Sequence, residues 1–140
     1  MLTAAVLLWM AALIGYDVRQ CRLPNRLTLP GFAAVMLGAA GSGHGPAAAL
    51  GAAALTTVYL LVHLLAPTAM GAGDVKLALG VGALTGCFGV DVWLLAAIAA
   101  PVLTAAVGVV ARLGWSAKTV PHGPSMCLAS AAAMGLAALP

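Results

Sequence analysis

Apolar residues are concentrated in six stretches, separated by short segments rich in polar residues, Gly or Pro. Their bounds are approximately Leu2–Tyr16, Leu29–Ala40, Ala47–Ala66, Val75–Val90, Val92–Val110 and Ser125–Leu139. A transmembrane helix needs about 20 residues and rarely fewer than about 17. The third and fifth stretches reach that length, and the others need flanking residues or a thinned bilayer. The pattern predicts an all-α polytopic membrane protein with about six transmembrane helices in one domain, residues 1–140.

Local stop and start signals support these bounds. Thr28 is placed to cap the second helix, with Pro30 in its first turn. Pro46 is placed to open the third helix, and the pair Ala66-Pro67 to close it.

Composition excludes most other classes of protein. Hydrophobic residues make up 64% of the chain and charged residues 6%, far below the roughly 25% of a soluble domain. The surface therefore requires lipid as its solvent. A net charge of +3 spread over the chain is too small for a nucleic-acid partner. The chain has neither a CxxC pair nor a clustered His/Cys set, so we expect no metal and no cofactor.

The basic residues predict the orientation. All six fall in or beside the connections between helices one and two, three and four, and five and six. They are Arg19, Arg22, Arg26, Lys76, Arg112 and Lys118. The positive-inside rule makes this face cytoplasmic and leaves both termini outside.

The chain has only three acidic residues. Asp17 is expected just after helix one and Asp74 just before helix four, both on the cytoplasmic face, while Asp91 is expected on the opposite face. Converging carboxyls near a bilayer invite a functional interpretation. Two structural alternatives stay open: Asp74 as a helix cap, and Asp17 as a polar helix end balanced by Arg19. Asp91 is interpreted as an interfacial cap.

A converging pair of carboxyls has a definite chemistry. When two carboxyls share one proton, one can activate water while the other donates a proton to the substrate. This is the logic of an aspartyl protease, and it needs no metal.

Three motifs resemble the type IV prepilin peptidases. The run from Asp17 to Asn25 (Asp-Val-Arg-Gln-Cys-Arg-Leu-Pro-Asn) resembles their D-x-R-x₃-[IL]-P-N segment. The run from Met70 to Leu77 (Met-Gly-Ala-Gly-Asp-Val-Lys-Leu) matches their G-x-G-D-x-K-L segment, and Pro121-His-Gly-Pro124 resembles their P-[FY]-G-P turn. All three lie on the predicted cytoplasmic side, in the family's order.

The resemblance implies a GxGD-type intramembrane aspartyl endopeptidase. Such enzymes remove short basic leaders from prepilins and pseudopilins, typically after a glycine, at the cytoplasmic face of the bacterial inner membrane. Asp17 and Asp74 would be the catalytic pair. Residues expected to support the pair or position the substrate are Arg19, Pro24, Asn25, Gly71, Gly73, Lys76, Pro121, Gly123 and Pro124. Gly71 and Gly73 would let the backbone approach the substrate ahead of helix four, and Lys76 would bias the ionisation of Asp74 or position its loop.

Two departures refine this expectation. Bifunctional members carry a cytosolic insertion with CxxC motifs and also N-methylate the pilin, and this chain lacks both features. It therefore resembles the short, peptidase-only form of tight-adherence (Flp-type) pilus systems. His122 stands where the family usually has an aromatic residue, as a local variation or a pH-sensitive contact.

Two other functions remain open at this stage. One is a small transporter or channel subunit whose carboxylates relay cations. The other is a non-catalytic membrane component of pilus assembly. The expected partners are a prepilin-like substrate with a basic leader and hydrophobic helix, membrane lipid and, in one possibility, further copies of the chain.

Overall fold

The computed structural model describes residues 2–115 and 119–140, and in these residues it is all-α, as predicted. Lys118, which contributed to the predicted orientation, lies outside the described residues. The helices are α1 (Leu2–Gln20), α2 (Asn25–Gly41), α3 (Gly45–Leu65), α4 (Ala72–Gly86), α5 (Val90–Trp115) and α6 (Gly123–Ala137).

Several predicted helix ends were wrong because hydropathy marks the apolar part of a helix and not the end of its hydrogen-bond ladder. Asp17 lies inside the last turn of α1, and Asp74 inside the first turn of α4. Asp91 likewise lies in the first turn of α5. The three carboxyls are therefore parts of helices, with the backbone fixed around each.

The predicted Thr28 cap was also wrong. The N-cap of α2 is Pro24, whose extended backbone (φ −70°, ψ 136°) leads directly into the helix. Thr28 lies within the first turn, where its buried hydroxyl donates a hydrogen bond of 3.4 Å to the Pro24 carbonyl. The starts and ends assigned to Pro46 and Ala66 were confirmed, since Pro46 stands in the first turn of α3 and Ala66 is its C-cap.

Helix α4 occupies the centre of the bundle, in contact with α2, α3, α5 and α6. Its residues from Gly80 to Gly86 are all buried. Small residues let α3 approach closely: a Cβ on Gly82 would lie 2.6 Å from the Gly51 carbonyl oxygen, and one on Gly86 would lie 2.7 Å from the Ala47 carbonyl oxygen. Such close backbone contact favours helix association where the hydrophobic effect does not act between helices. The central helix thus holds Asp74 on a tightly packed support.

The outer surface of the bundle is strongly apolar. Large side chains such as Leu65 and Leu113 are 84% and 85% exposed. Within the described residues, two helices are long and apolar enough to span a membrane, Gly45–Leu65 and Val90–Gly114. These are the third and fifth helices, the two that sequence length favoured.

Candidate active site

Asp17 is buried where the end of α1 meets the start of α6. Its side chain is 5% exposed, and its Oδ2 accepts a hydrogen bond of 3.0 Å from the main-chain N–H of Gly123. A Cβ on residue 123 would lie 2.5 Å from that oxygen and 3.1 Å from Cγ of Asp17. Glycine at this position is therefore a spatial requirement of the carboxyl.

Asp74 is held by the helix that carries it. It is the third residue of α4, and its Oδ2 accepts a hydrogen bond of 3.3 Å from the N–H of Gly71, the N-cap. The Asp74 N–H in turn donates to the Gly71 carbonyl at 3.1 Å. The cap interaction expected from sequence is thus present, but from the N3 position, where a carboxylate satisfies the N-cap amide. The side chain stays half-buried.

The two carboxyls share one cavity. It has a volume of about 290 Å³ and lies between the end of α1, the α1–α2 loop and the start of α4. Its lining residues are Asp17, Cys21, Arg22, Leu23, Gly71, Ala72, Gly73, Asp74 and Lys76. The structure therefore brings together the two acidic residues that the topology paired. Asp91 is exposed in the first turn of α5 and does not line this cavity.

The electrostatics of the cavity favour holding a proton. Both carboxyls lie outside the predicted spans Leu2–Tyr16 and Val75–Val90. Desolvation by burial, followed by the charge of Asp17, raises the pKa of Asp74 from 3.8 to about 6, against the opposing hydrogen bond from Gly71. Burial also raises the pKa of Asp17, and its hydrogen bond from Gly123 works against that rise. Two carboxyls that repel one another cannot easily ionise together.

Lys76 and Asn25 connect the start of α4 to the start of α2. Nζ of Lys76 donates a hydrogen bond of 2.8 Å to Oδ1 of Asn25. Gly73 packs against Leu23 of the α1–α2 loop, because a Cβ on residue 73 would lie 3.2 Å from Cβ of Leu23. Gly71 has an ordinary φ of −75°, so no left-handed backbone requires its glycine. Gly73 stands inside α4, not ahead of it as expected.

Other residues singled out from sequence take different places. Arg19 is exposed and does not line the cavity, because residues two apart on a helix point to different sides. In the part of the chain that the structure describes, no ion pair joins it to Asp17. Pro121 and Pro124 flank the His122-Gly123 pair at the start of α6. The proline rings restrict the backbone on either side of this pair.

The sequence did not predict the hydrogen bonds that the His122 imidazole makes beside Gly123. His122 lies 2.9 Å from the Tyr59 hydroxyl through Nε2 and 2.6 Å from the Thr104 hydroxyl through Nδ1. Tyr59 belongs to α3 and Thr104 to α5, and neither stands in a recognisable motif. The only available signal was the histidine at the position where the resembling family has an aromatic residue.

No group of three or more His, Cys, Asp or Glu side chains suited to a metal ion occurs within residues 2–115 and 119–140. Besides the carboxyls, the residues that line the cavity include the cationic Arg22 and Lys76.

Comparison with known proteins identifies a family. The model of the type IV leader peptidase family matches residues 4–109, which include both aspartates and end before the Pro121–Pro124 turn. No curated protein and no solved structure matches the chain.

Proposed function

The chain belongs to the type IV leader peptidase family, and we propose that it is a membrane aspartyl endopeptidase with Asp17 and Asp74 as its catalytic pair. Its substrates are prepilin-like proteins, from which it removes the basic leader at the cytoplasmic face of the inner membrane. The chain has no CxxC motif and no cytosolic insertion of the methylating kind, so the proposed activity is peptidase only.

The observation that carries this proposal is the shared cavity of Asp17 and Asp74. Each carboxyl has one oxygen fixed by a main-chain N–H, from Gly123 and Gly71 respectively. The other oxygen of each remains available for water or substrate. Repulsion between the pair favours the state with one proton shared between two carboxyls, which is the working state of this mechanism.

The reaction then follows from that state. The ionised carboxyl takes a proton from a water molecule as the water oxygen attacks the scissile carbonyl carbon, and the protonated carboxyl donates its proton to the carbonyl oxygen. The resulting diol collapses when the first carboxyl returns its proton to the peptide nitrogen, the second carboxylate takes a proton back from one diol hydroxyl, and the C–N bond breaks. The products are a leader with a new carboxyl terminus and a pilin with a new amino terminus.

The substrate's hydrophobic helix requires an apolar binding surface next to the cavity. A groove of about 530 Å³ lies between α1, α2 and α4, lined by residues such as Trp9, Pro30 and Val35, with Arg26 among them. We place the substrate helix in this groove, with its leader entering the aspartate cavity. The positive charges of Arg22 and Lys76 would repel a basic leader, and the negative charge of the aspartate pair in the same cavity offsets this repulsion.

Co-expression with a prepilin from the same genome tests the proposal. Leader removal is followed by gel shift and by mass spectrometry of the new amino terminus, for the wild type and for Asp17→Asn, Asp74→Asn and Asp91→Asn at matched membrane levels. Cleavage by the wild type and Asp91→Asn alone is the expected result. Cleavage that survives loss of Asp17 or Asp74 would overturn the aspartyl mechanism and return both aspartates to the role of helix caps.

A further inference from the structure

We propose that His122 is a positioning residue for the peptidase reaction, tied to α3 and α5 so that the Gly123 N–H stays directed at Asp17. This inference rests on the proposed function. It concerns a residue that does not line the aspartate cavity. The imidazole is hydrogen-bonded to Tyr59 and Thr104, and the residue that follows it donates its main-chain N–H to Asp17.

The contacts of Thr104 determine which atoms of His122 donate and which accept. The Thr104 hydroxyl lies 3.1 Å from the Ala100 carbonyl oxygen, to which it can only donate. Its oxygen therefore accepts from Nδ1–H of His122 at 2.6 Å. With the proton on Nδ1, Nε2 is an acceptor, and the Tyr59 hydroxyl donates to it at 2.9 Å. Every polar atom of the imidazole is satisfied in one neutral tautomer. Burial lowers the pKa of His122, which favours the same neutral form.

The helix itself holds the Gly123 amide only in part. Gly123 is the first residue of α6, and the first N–H groups of a helix have no acceptor within the helix. The next residue, Pro124, has no N–H to donate. The α6 ladder acts on the Gly123 amide only through the other end of the same peptide, where the His122 carbonyl accepts a hydrogen bond of 3.1 Å from the Met126 N–H. The hydrogen bonds of the imidazole to α3 and α5 add a second constraint at His122, from outside α6, on the direction of this donor.

The consequence for Asp17 has a definite sign. A hydrogen bond to the ionised carboxyl lowers its pKa, so loosening the Gly123 amide raises the pKa of Asp17. The acidic limb of the pH–activity profile, which requires one ionised carboxyl, then moves to higher pH. The titratable groups around Asp17 remain in place in such a variant: they are Asp74 and Lys76 of α4, Cys21 and Arg22 of the loop, and Cys127 of α6.

The chain supplies its own matched control. The tripeptide His-Gly-Pro occurs twice, at 44–46 before α3 and at 122–124 before α6. His44 is exposed, and its imidazole is hydrogen-bonded to the Ser42 hydroxyl at 3.3 Å. A substitution at His44 therefore tests the effect of changing a histidine in this local sequence without the tie to two helices.

The first experiment measures peptide cleavage by the detergent-solubilised full chain at a series of pH values. We expect His122→Ala to lower kcat by about tenfold to a hundredfold, the loss typical of a misplaced catalytic group. KM should stay within about twofold, since the binding surface is intact, and the acidic limb should move to higher pH. We expect His122→Gln, whose amide oxygen can still accept from Tyr59, to recover part of kcat, and His44→Ala to match the wild type. An unchanged kcat and pH profile in His122→Ala would overturn the proposal.

A second measurement does not depend on activity. Labelling with carbonyl-¹³C histidine and ¹⁵N glycine selects the amides of Gly45 and Gly123, and a spectrum of His44→Ala assigns the former. We expect Tyr59→Phe and Thr104→Val to shift the Gly123 amide proton upfield, as its hydrogen bond to Asp17 weakens. Thr57→Val is the matched control, because Thr57 is an exposed threonine with the same bond to the carbonyl four residues earlier. An unchanged chemical shift of the Gly123 amide proton in both variants would overturn the positioning role of His122. A wild type that cleaves no prepilin would overturn the proposed function alone.

Discussion

The main-chain N–H of Gly123 donates a hydrogen bond of 3.0 Å to Oδ2 of Asp17, across 106 positions of sequence. This contact joins the last turn of α1 to the first residue of α6. It places a helix N-terminus, with its unpaired amides and positive end of the helix dipole, against a buried carboxyl. The glycine makes the approach possible, and the carboxyl gives the amide its partner.

Gly123→Ala should therefore remove the activity. The added Cβ would lie 2.5 Å from the Asp17 oxygen, so either the carboxyl or the start of α6 must move. We expect at least about a hundredfold loss of kcat/KM and a loss of about 1–3 kcal/mol in the free energy of unfolding. Cleavage kinetics and thermal unfolding in detergent measure the two effects.

Gly135→Ala is the control for that substitution. Gly135 lies in the same helix with open space around its Cα, and alanine there should leave activity unchanged and favour the helix slightly. Equal activity of the Gly123→Ala and Gly135→Ala variants would show that the Asp17 contact is dispensable.

The titration of Asp74 depends on the neighbouring charge. Since its pKa is raised from 3.8 to about 6 in part by Asp17, we expect Asp17→Asn to lower it and Asp91→Asn to leave it unchanged. The chain contains only three acidic side chains, all aspartates, so ¹³Cγ-aspartate spectra resolve them directly. An Asp74 titration unaffected by Asp17→Asn would contradict the shared cavity.

The same raised pKa has a consequence for stability. A carboxyl whose pKa is higher in the folded state stabilises the fold below its unfolded pKa, and this contribution is lost as the pH rises through the folded value. For Asp74 that window runs from 3.8 to about 6. The melting temperature should therefore fall across this range, and the fall should be smaller in Asp74→Asn.

Close packing of α3 against α4 should be sensitive to a single methyl group. Gly82→Ala would place a Cβ 2.6 Å from the Gly51 carbonyl oxygen, a backbone atom that cannot turn aside. We expect a loss of about 1–3 kcal/mol in the free energy of unfolding. Gly15→Ala, in open space on α1, is the control. Equal unfolding midpoints for the two variants would rule out tight contact between these helices.

Much of this arrangement was accessible from sequence. The all-α fold followed from the six apolar stretches, and the pairing of Asp17 with Asp74 followed from counting helices between them. Both predictions depend only on the hydropathy of successive segments, which can be read from a single sequence. The family resemblance rested on short motifs, and the matched region 4–109 confirms the family.

The details that position the carboxyls were not accessible. The Gly123 contact depends on where α6 begins relative to α1, and the His122 ties depend on the rotation of α3 and α5. Neither quantity leaves a periodic signal in one sequence. Similarly, Asp74 was expected at or before the cap, while the helix begins at Ala72 because the Gly71 amide finds the Asp74 carboxyl as its partner.

Double substitution at Asp17 and Asp74 tests the central claim most directly, namely that the two carboxyls of one cavity act as a single catalytic unit. The measurement is kcat for leader cleavage by the purified chain in vesicles, comparing Asp17→Asn, Asp74→Asn and the variant with both changes. Groups that act as a unit give strongly non-additive losses, so we predict that the double variant loses no more activity than either single variant. Substantial activity in either single variant, or losses that multiply in the double variant, would contradict the account.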